Sequence, residues 1–381
     1  MDFSWREEQT ALRDAVVEFA RKDLTTDPLH LENRGEFDLE GWRRCAGFGI
    51  QGLPIPSEYG GGAVDALTIV YTLEGLGYGC KDNGLIFSIN AHMWSCALPI
   101  LTFGTEEQKD RFLPKLCSGE LIGGNATTEP ESGSDAFSLR TTAERRGDRY
   151  ILNGSKAFVT NGPVADLLVV FATVDRSKGP QGITAFLVEK EFSGFSVGPP
   201  MEKMGLRTSP LGEVSFPDCE VPLENRLGSE GAGVAIFTHS MEWERSCILA
   251  SAVGSMQRQL ETCIHYARQR KQFGQAIGKF QLVASKIVDM KLRLETARSL
   301  LYKVGWLKQQ GRLALMEAAM AKLYISECWV QSCQDAIQIH GGYGYMTEVG
   351  VERELRDALA SKLYSGTSEI QRLIVAQFLG L

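Results

Sequence analysis

The hydrophobic period changes twice along this chain of 381 residues, and that change fixes the kind of fold it can adopt. From Trp5 to about Gly119 the spacing is helical, with Leu12, Ala15, Val16 and Phe19 on one stripe. Pro54-Ile55-Pro56 and Gly60-Gly61-Gly62 punctuate this stretch as turns. Between about Glu120 and Gly228 the pattern shortens to that of strands. Tyr150-Ile151-Leu152 and Lys156-Ala157-Phe158-Val159-Thr160 flank Asn153-Gly154, a dipeptide that suits a two-residue hairpin because both turn positions need positive φ. Leu167 to Ala172 and Ile183 to Val188 read as further strands. After Gly231-Ala232-Gly233 helical spacing returns over roughly Val234 to Arg268, Gln281 to Gln309 and Leu313 to Ile339, enough for an antiparallel bundle. The order predicts an α+β multidomain chain: an N-terminal helical domain over 1–119, a central β-barrel or sandwich over 120–228, and a C-terminal helical bundle over 229–381.

Charge and composition narrow the function. Forty basic against 47 acidic residues give a formal net charge of −7, with no Lys/Arg block to hold nucleic acid or an anionic membrane. The charged start, Met1 to Glu8, lacks the pattern of a signal peptide, and no apolar run is expected to approach the roughly 18 residues of a membrane span. A cytoplasmic protein is expected. Nine cysteines without a Cys-x-x-Cys pair point to reduced structural thiols, and the five histidines show no metal-ligand spacing. No metal site is expected.

Three segments carry the chemistry: Thr128-Glu129-Pro130-Glu131-Ser132-Gly133-Ser134-Asp135, Arg270-Lys271-Gln272-Phe273-Gly274 and Tyr364-Ser365-Gly366-Thr367-Ser368-Glu369-Ile370-Gln371. Together they make the chain resemble the acyl-CoA dehydrogenases, flavoenzymes that oxidise the Cα–Cβ bond of thioesters, over almost its whole length. The resemblance implies FAD as cofactor, a C-terminal four-helix bundle and a homotetramer. A flavin needs a dry slot, hydrogen bonds to its ring edge and donors for its pyrophosphate. By resemblance, Thr128 would bond the pyrimidine side of the ring and Ser134 the pyrophosphate or the substrate arm. Phe158 would cover the ring where the family commonly has tryptophan, and Thr160 would reach its reactive edge. Arg270, Gln272 and Phe273 would extend into the FAD of a neighbouring subunit. Gln338, followed by Gly341 and Gly342, would let backbone approach the adenosine closely, and Thr367 and Glu369 would complete that end.

One position departs from the family. Many members carry their catalytic glutamate where this chain has Ser365, and a serine hydroxyl is too weak a base to deprotonate carbon unaided. The role the family gives the backbone N–H at this position, donation to the thioester carbonyl, survives the change of side chain. Ser240-Met241-Glu242-Trp243-Glu244-Arg245-Ser246-Cys247-Ile248 supplies the replacement base. Glu242 and Glu244 sit two apart on a helix, on nearly opposite faces. Glu244 has Met241, Cys247 and Ile248 at helical spacing and should have the drier setting. Family members similar to isovaleryl-CoA dehydrogenase also place their base on this helix just before an arginine, as in Glu244-Arg245.

The stretch Gly84 to His92, the helix around Glu244 and Ser365-Gly366-Thr367 resemble most the branch that oxidises L-prolyl groups on carrier proteins. That resemblance implies a carrier protein bearing a phosphopantetheine thioester, or a CoA ester, as partner, and an electron-transfer flavoprotein or O2 as electron acceptor. Trp243, Arg245 and Ser134 would line the substrate, with Trp243 narrowing the pocket to a small ring. A short or branched acyl-CoA dehydrogenase is the alternative. An amine monooxygenase of the same fold and a non-catalytic flavoprotein are the other readings, and the presence of Glu244 and of the cofactor motifs counts against them.

Overall fold

The computed structural model describes residues 4–24 and 28–381; Met1, Asp2 and Phe3 of the charged start lie outside the described residues. The first third is helical: α1 (Glu7–Asp23), α2 (Pro28–Arg34), α3 (Leu39–Phe48), α4 (Ala66–Gly79), α5 (Asn83–His92), α6 (Leu98–Phe103) and α7 (Glu106–Cys117). Side chains end these helices as the sequence dictates: Asp38, Asp65, Asp82 and Thr105 each accept a backbone N–H at a helix N-terminus. Between α5 and α6 the helix widens into a π-turn over Met93–Ala97. Pro99 lies two residues past that turn and has no N–H to offer the carbonyl of Ser95, four residues earlier, so that carbonyl lacks its α-helical partner.

The stretch Asn83–Phe103 is long and apolar enough to span a bilayer, against the expectation that no run approaches that length. However, 89% of its apolar window is buried, as in a core helix.

Eight strands form one mixed sheet: β1 (Gly123–Ala126), β2 (Thr142–Arg146), β3 (Arg149–Thr160), β4 (Leu167–Thr173), β5 (Ile183–Glu189), β6 (Ser196–Val197), β7 (Leu211–Pro222) and β8 (Arg226–Leu227). The order is β6-β7-β3-β2-β4-β5-β8, with β1 parallel to β4. β4 alternates strictly: Leu167, Val169 and Phe171 pack toward α6 and α7, while Leu168, Val170 and Ala172 join Leu152, Phe186, Val214 and Phe216 in a second core enclosed by the curled sheet.

Asn153-Gly154 is not the hairpin turn expected. β3 runs straight through it, and a register shift against β7 falls there. Asn153 exchanges hydrogen bonds with Asp218 across the bulge, at 3.0 and 3.1 Å. A Cβ on Gly154 would lie 2.5 Å from Thr141, so the glycine serves close approach and not a turn. The actual hairpin is Gly147-Asp148, between the paired Arg146 and Arg149.

The last third comprises α8 (Gly233–Cys247), α9 (Ala250–Gln269), the short hairpin of β9 (Lys271–Gln272) and β10 (Gln275–Ala276), α10 (Gln281–Gln309), α11 (Leu315–His340), α12 (Val351–Ala360) and α13 (Ser368–Phe378). The helix expected over Val234 to Arg268 is thus two, broken at Ile248-Leu249. The two helical regions share one hydrophobic core in which Val16, Leu73 and Trp94 join Val253, Leu294, Leu301 and Ala318. That shared core holds α8 against the π-turn and α11, which positions the site described next.

Candidate active site

Glu242 and Glu244 both point inward from α8, at 3% and 8% exposure. The expectation that Glu244 has the drier setting fails on that measure; what separates the two carboxylates is their partners. Glu242 pairs with Lys308 at 3.0 Å and accepts the Ala314 N–H at 2.8 Å. Lys308 also sits 4.2 Å from the ring centre of Trp243. Glu244 makes no ion pair with any described residue. One of its oxygens accepts the Ser95 hydroxyl at 2.5 Å and the other accepts the Ser365 hydroxyl.

Ser365 lies in a backbone turn that few sequences could form. Its φ is +55° and that of Gly366 is +86°, both in the left-handed region. At that φ any other residue at 366 is strained, and a Cβ there would also approach the Gln371 amide to 2.8 Å. Four donations to its two carbonyls hold the turn. Arg245 Nε and Gln371 Nε2 donate to the Ser365 carbonyl, both at 3.0 Å, and Lys322 Nζ and Gln371 Nε2 donate to that of Gly366 at 2.7 and 2.8 Å. No acceptor among the described residues takes the Ser365 N–H, which stays available to a ligand. Burial, reinforced by Arg245, pushes the Lys322 ammonium down to about 7, and burial also lowers the affinity of Arg245 for its proton. Tyr364, raised by burial and by the nearby carboxylates Glu244 and Asp357, packs on Phe87 with ring centres 4.6 Å apart.

Sequence reasoning missed Ser95, Lys322 and Gln371. Pro99 inside an apolar helical run was the one available signal for Ser95. The carbonyl that Pro99 leaves without its α-helical partner lies 3.4 Å from the Asn125 side-chain amide, so the same residue ties Glu244 to β1. Asn161 makes a parallel link, donating to the carbonyls of Ser88 and Gly123 at 3.0 Å each.

Those links bring a second cluster to the site. A register shift between Lys156 and Val159 frees Ala157 and Phe158 from the β7 ladder; the Ala157 N–H then bonds the Thr128 carbonyl at 2.8 Å. Lys156, fully buried, adds a bond to the Thr127 carbonyl at 3.1 Å and an ion pair with Glu129 at 2.8 Å. Thr128 is therefore held beside Ala157-Phe158, with Thr160 two residues further along β3. Phe158 holds φ at +54° and is 62% exposed, a strained and uncovered aromatic. This arrangement fits the flat ring and polar edge of a flavin.

The remaining expected cofactor residues lie elsewhere on the surface. Arg270 ends α9, 5.9 Å from the ring centre of Tyr343, which places it beside Gly341 and Gly342. Phe273 and Gly274 form a tight turn at φ +49° and +79°, and the Phe273 ring is 94% exposed. The Gln272 side chain donates to the Lys271 carbonyl at 2.7 Å, and Gln338, Gly341, Gly342, Ser134 and Glu369 are exposed. Thr367 is the N-cap of α13, accepting the Ile370 N–H at 3.3 Å, so its oxygen already has a structural task. Trp243 is half-buried and stacks on Trp94, with ring centres 6.0 Å apart.

Comparison with known proteins places this geometry among relatives. The N-terminal, middle and C-terminal domains of the acyl-CoA dehydrogenase family match residues 6–120, 124–219 and 231–380. The L-prolyl-[peptidyl-carrier protein] dehydrogenase of Pseudomonas fluorescens is 42% identical, with 100% of both chains covered. The crystal structure of the prolyl acyl carrier protein oxidase AnaB is 57% identical with a TM-score of 0.98, covering 99% of this chain and 100% of AnaB. PigA, solved with FAD and proline, is 41% identical with a TM-score of 0.98 over 100% of both chains.

Proposed function

The chain belongs to the acyl-CoA dehydrogenase family, and from that premise we propose that it is an FAD-dependent dehydrogenase of L-prolyl groups held as thioesters on a carrier protein. Bound FAD supplies the acceptor for the hydride that leaves the substrate. Thr128, Phe158 and Thr160 would hold its ring. Arg270, Gln272, Phe273, Gln338, Gly341, Gly342, Thr367 and Glu369 would serve its pyrophosphate and adenosine, some of them from a neighbouring subunit of a homotetramer.

Glu244 takes the α-proton, which the thioester carbonyl acidifies. The Ser365 N–H donates to that carbonyl as charge develops on it. Arg245, Lys322 and Gln371 keep this donor in place through the two carbonyls of its turn. Trp243 and Arg245 border the acyl group. The product is a dehydroprolyl thioester, and the electrons pass on to an electron-transfer flavoprotein or to O2.

The observation that carries this reading is the buried carboxylate of Glu244, bonded to the hydroxyl of a residue whose own N–H is unclaimed among the described residues. Anaerobic mixing with L-prolyl carrier protein, with short acyl-CoAs and with an amine tests it. Bleaching of the flavin by the prolyl carrier alone is expected. Bleaching only by acyl-CoA selects the short or branched-chain enzyme, and hydroxylation of the amine when O2 is admitted selects the monooxygenase; either result overturns the reading.

A further inference from the structure

We propose that Ser95 and Ser365 are a pair of positioning residues: their two hydroxyls hold the Glu244 carboxylate away from the half-buried Arg245 and the buried Lys322. The inference rests on Glu244 being the base. A carboxylate that loses water when buried seeks a counter-charge, and an opposite charge within about 4–6 Å stabilises its ionised form at the expense of its basicity. Two basic side chains are candidates. Arg245 is the next residue on α8, and the charge of Glu244 registers on both Arg245 and Lys322.

Neither cation pairs with Glu244. The Arg245 side chain is turned to the Ser365 carbonyl at 3.0 Å and the Lys322 ammonium to the Gly366 carbonyl at 2.7 Å. Glu244 instead gives each of its oxygens to a neutral hydroxyl. Glu242, two residues earlier on the same helix, shows the other outcome, a direct ion pair with Lys308.

Each serine is held by contacts that do not involve Glu244. Ser95 is 4% exposed, within the π-turn, and its carbonyl meets the Asn125 amide at 3.4 Å. Ser365 is fixed by its left-handed turn. The groups around the carboxylate are thus Arg245 on its own helix, Lys322 from α11, Tyr364 and Ser365 from the turn before α13, and the neutral Ser95 from the π-turn; Lys308 is engaged by Glu242. Neutral donors orient an anion without neutralising it, which suits a carboxylate that must accept a proton from carbon.

The test is the double variant Ser95→Ala, Ser365→Gly, assayed with L-prolyl carrier protein beside Glu244→Gln. Glycine accepts the φ of position 365 without strain. Released from the hydroxyls, Glu244 should swing onto the cations. The expected result is a kcat lower by about 10²-fold, as for a mispositioned reacting group, KM unchanged, and the acidic limb of the kcat–pH profile moved to lower pH. Ser95→Thr, which keeps the hydroxyl, should restore most of the rate to a chain carrying only the change at 95. An acidic limb that stays in place or moves to higher pH overturns the proposal, as does a kcat equal to that of the unaltered enzyme. If the double variant does not fold, Ser365→Gly alone is read by the same criteria. Normal turnover by Glu244→Gln would instead remove the underlying assignment of the base; an inactive Glu244→Gln beside an unaffected double variant removes only the positioning pair.

Discussion

The two faces of α8 carry the same side chain to opposite ends. Glu242 meets a cation and a backbone N–H, and both satisfy it. Glu244 meets two hydroxyls and has no ion-pair partner among the described residues, although Arg245 and Lys322 lie nearby. A carboxylate neutralised by an ion pair holds helices together; one left with neutral partners in a dry place can still take a proton. The sequence distance between them is two residues, so neighbours brought in from elsewhere in the chain decide the difference.

The largest stability effect should come from the Glu242 face. Glu242→Ala leaves Lys308 buried and unpaired and should cost roughly 3–5 kcal/mol in urea unfolding, whereas Glu244→Gln should melt close to the unaltered protein. Equal losses from both would erase the contrast.

His92 sharpens it, because it separates acid loss of structure from acid loss of activity. Its Nδ1 accepts the Gly123 N–H at 2.9 Å and its Nε2 donates to the Leu116 carbonyl at 3.1 Å, so the ring is neutral, and burial pushes it down to about 4 from 6.5. The unfolded chain takes that proton first as pH falls, so stability should drop progressively from pH 6.5 to about 4, by roughly 3 kcal/mol for this group. His92→Gln should flatten this part of the stability profile while the acidic limb of kcat stays in place. A shift of both together would tie activity to unfolding and not to Glu244.

Gly366→Ala tests the turn that faces Glu244. The left-handed φ and the contact with Gln371 predict a loss of about 1–2 kcal/mol, with a fall in kcat out of proportion to it. The smallest stability effect belongs to Phe273→Ser, within about 0.5 kcal/mol because the ring is uncovered. FAD retention on gel filtration should nevertheless fall, as expected if that ring serves a neighbouring subunit.

The α, β, α order was legible because apolar spacing reports which face of each segment is buried. Glu244 was legible as a carboxylate on that helix beside an arginine. The reason it differs from Glu242 was not, since Ser95, Ser365 and Lys308 come from the π-turn, the turn before α13 and α10. The same limit explains Asn153-Gly154. Its local preference is a turn, but pairing with Asp218 and the closeness of Thr141 make it a bulge in a long strand. Lys322 looked like any helix lysine; only the approach of the Gly366 carbonyl gives it a buried task.

The central claim is that one carboxyl group on α8 removes the proton from carbon. Its most direct test is anaerobic stopped-flow mixing of FAD-loaded Glu244→Gln with L-prolyl carrier protein in D2O. The account predicts a normal flavin spectrum before mixing, no bleaching after it, and no deuterium at the prolyl Cα, while the unaltered enzyme bleaches. Bleaching by the variant at the unaltered rate would contradict the account.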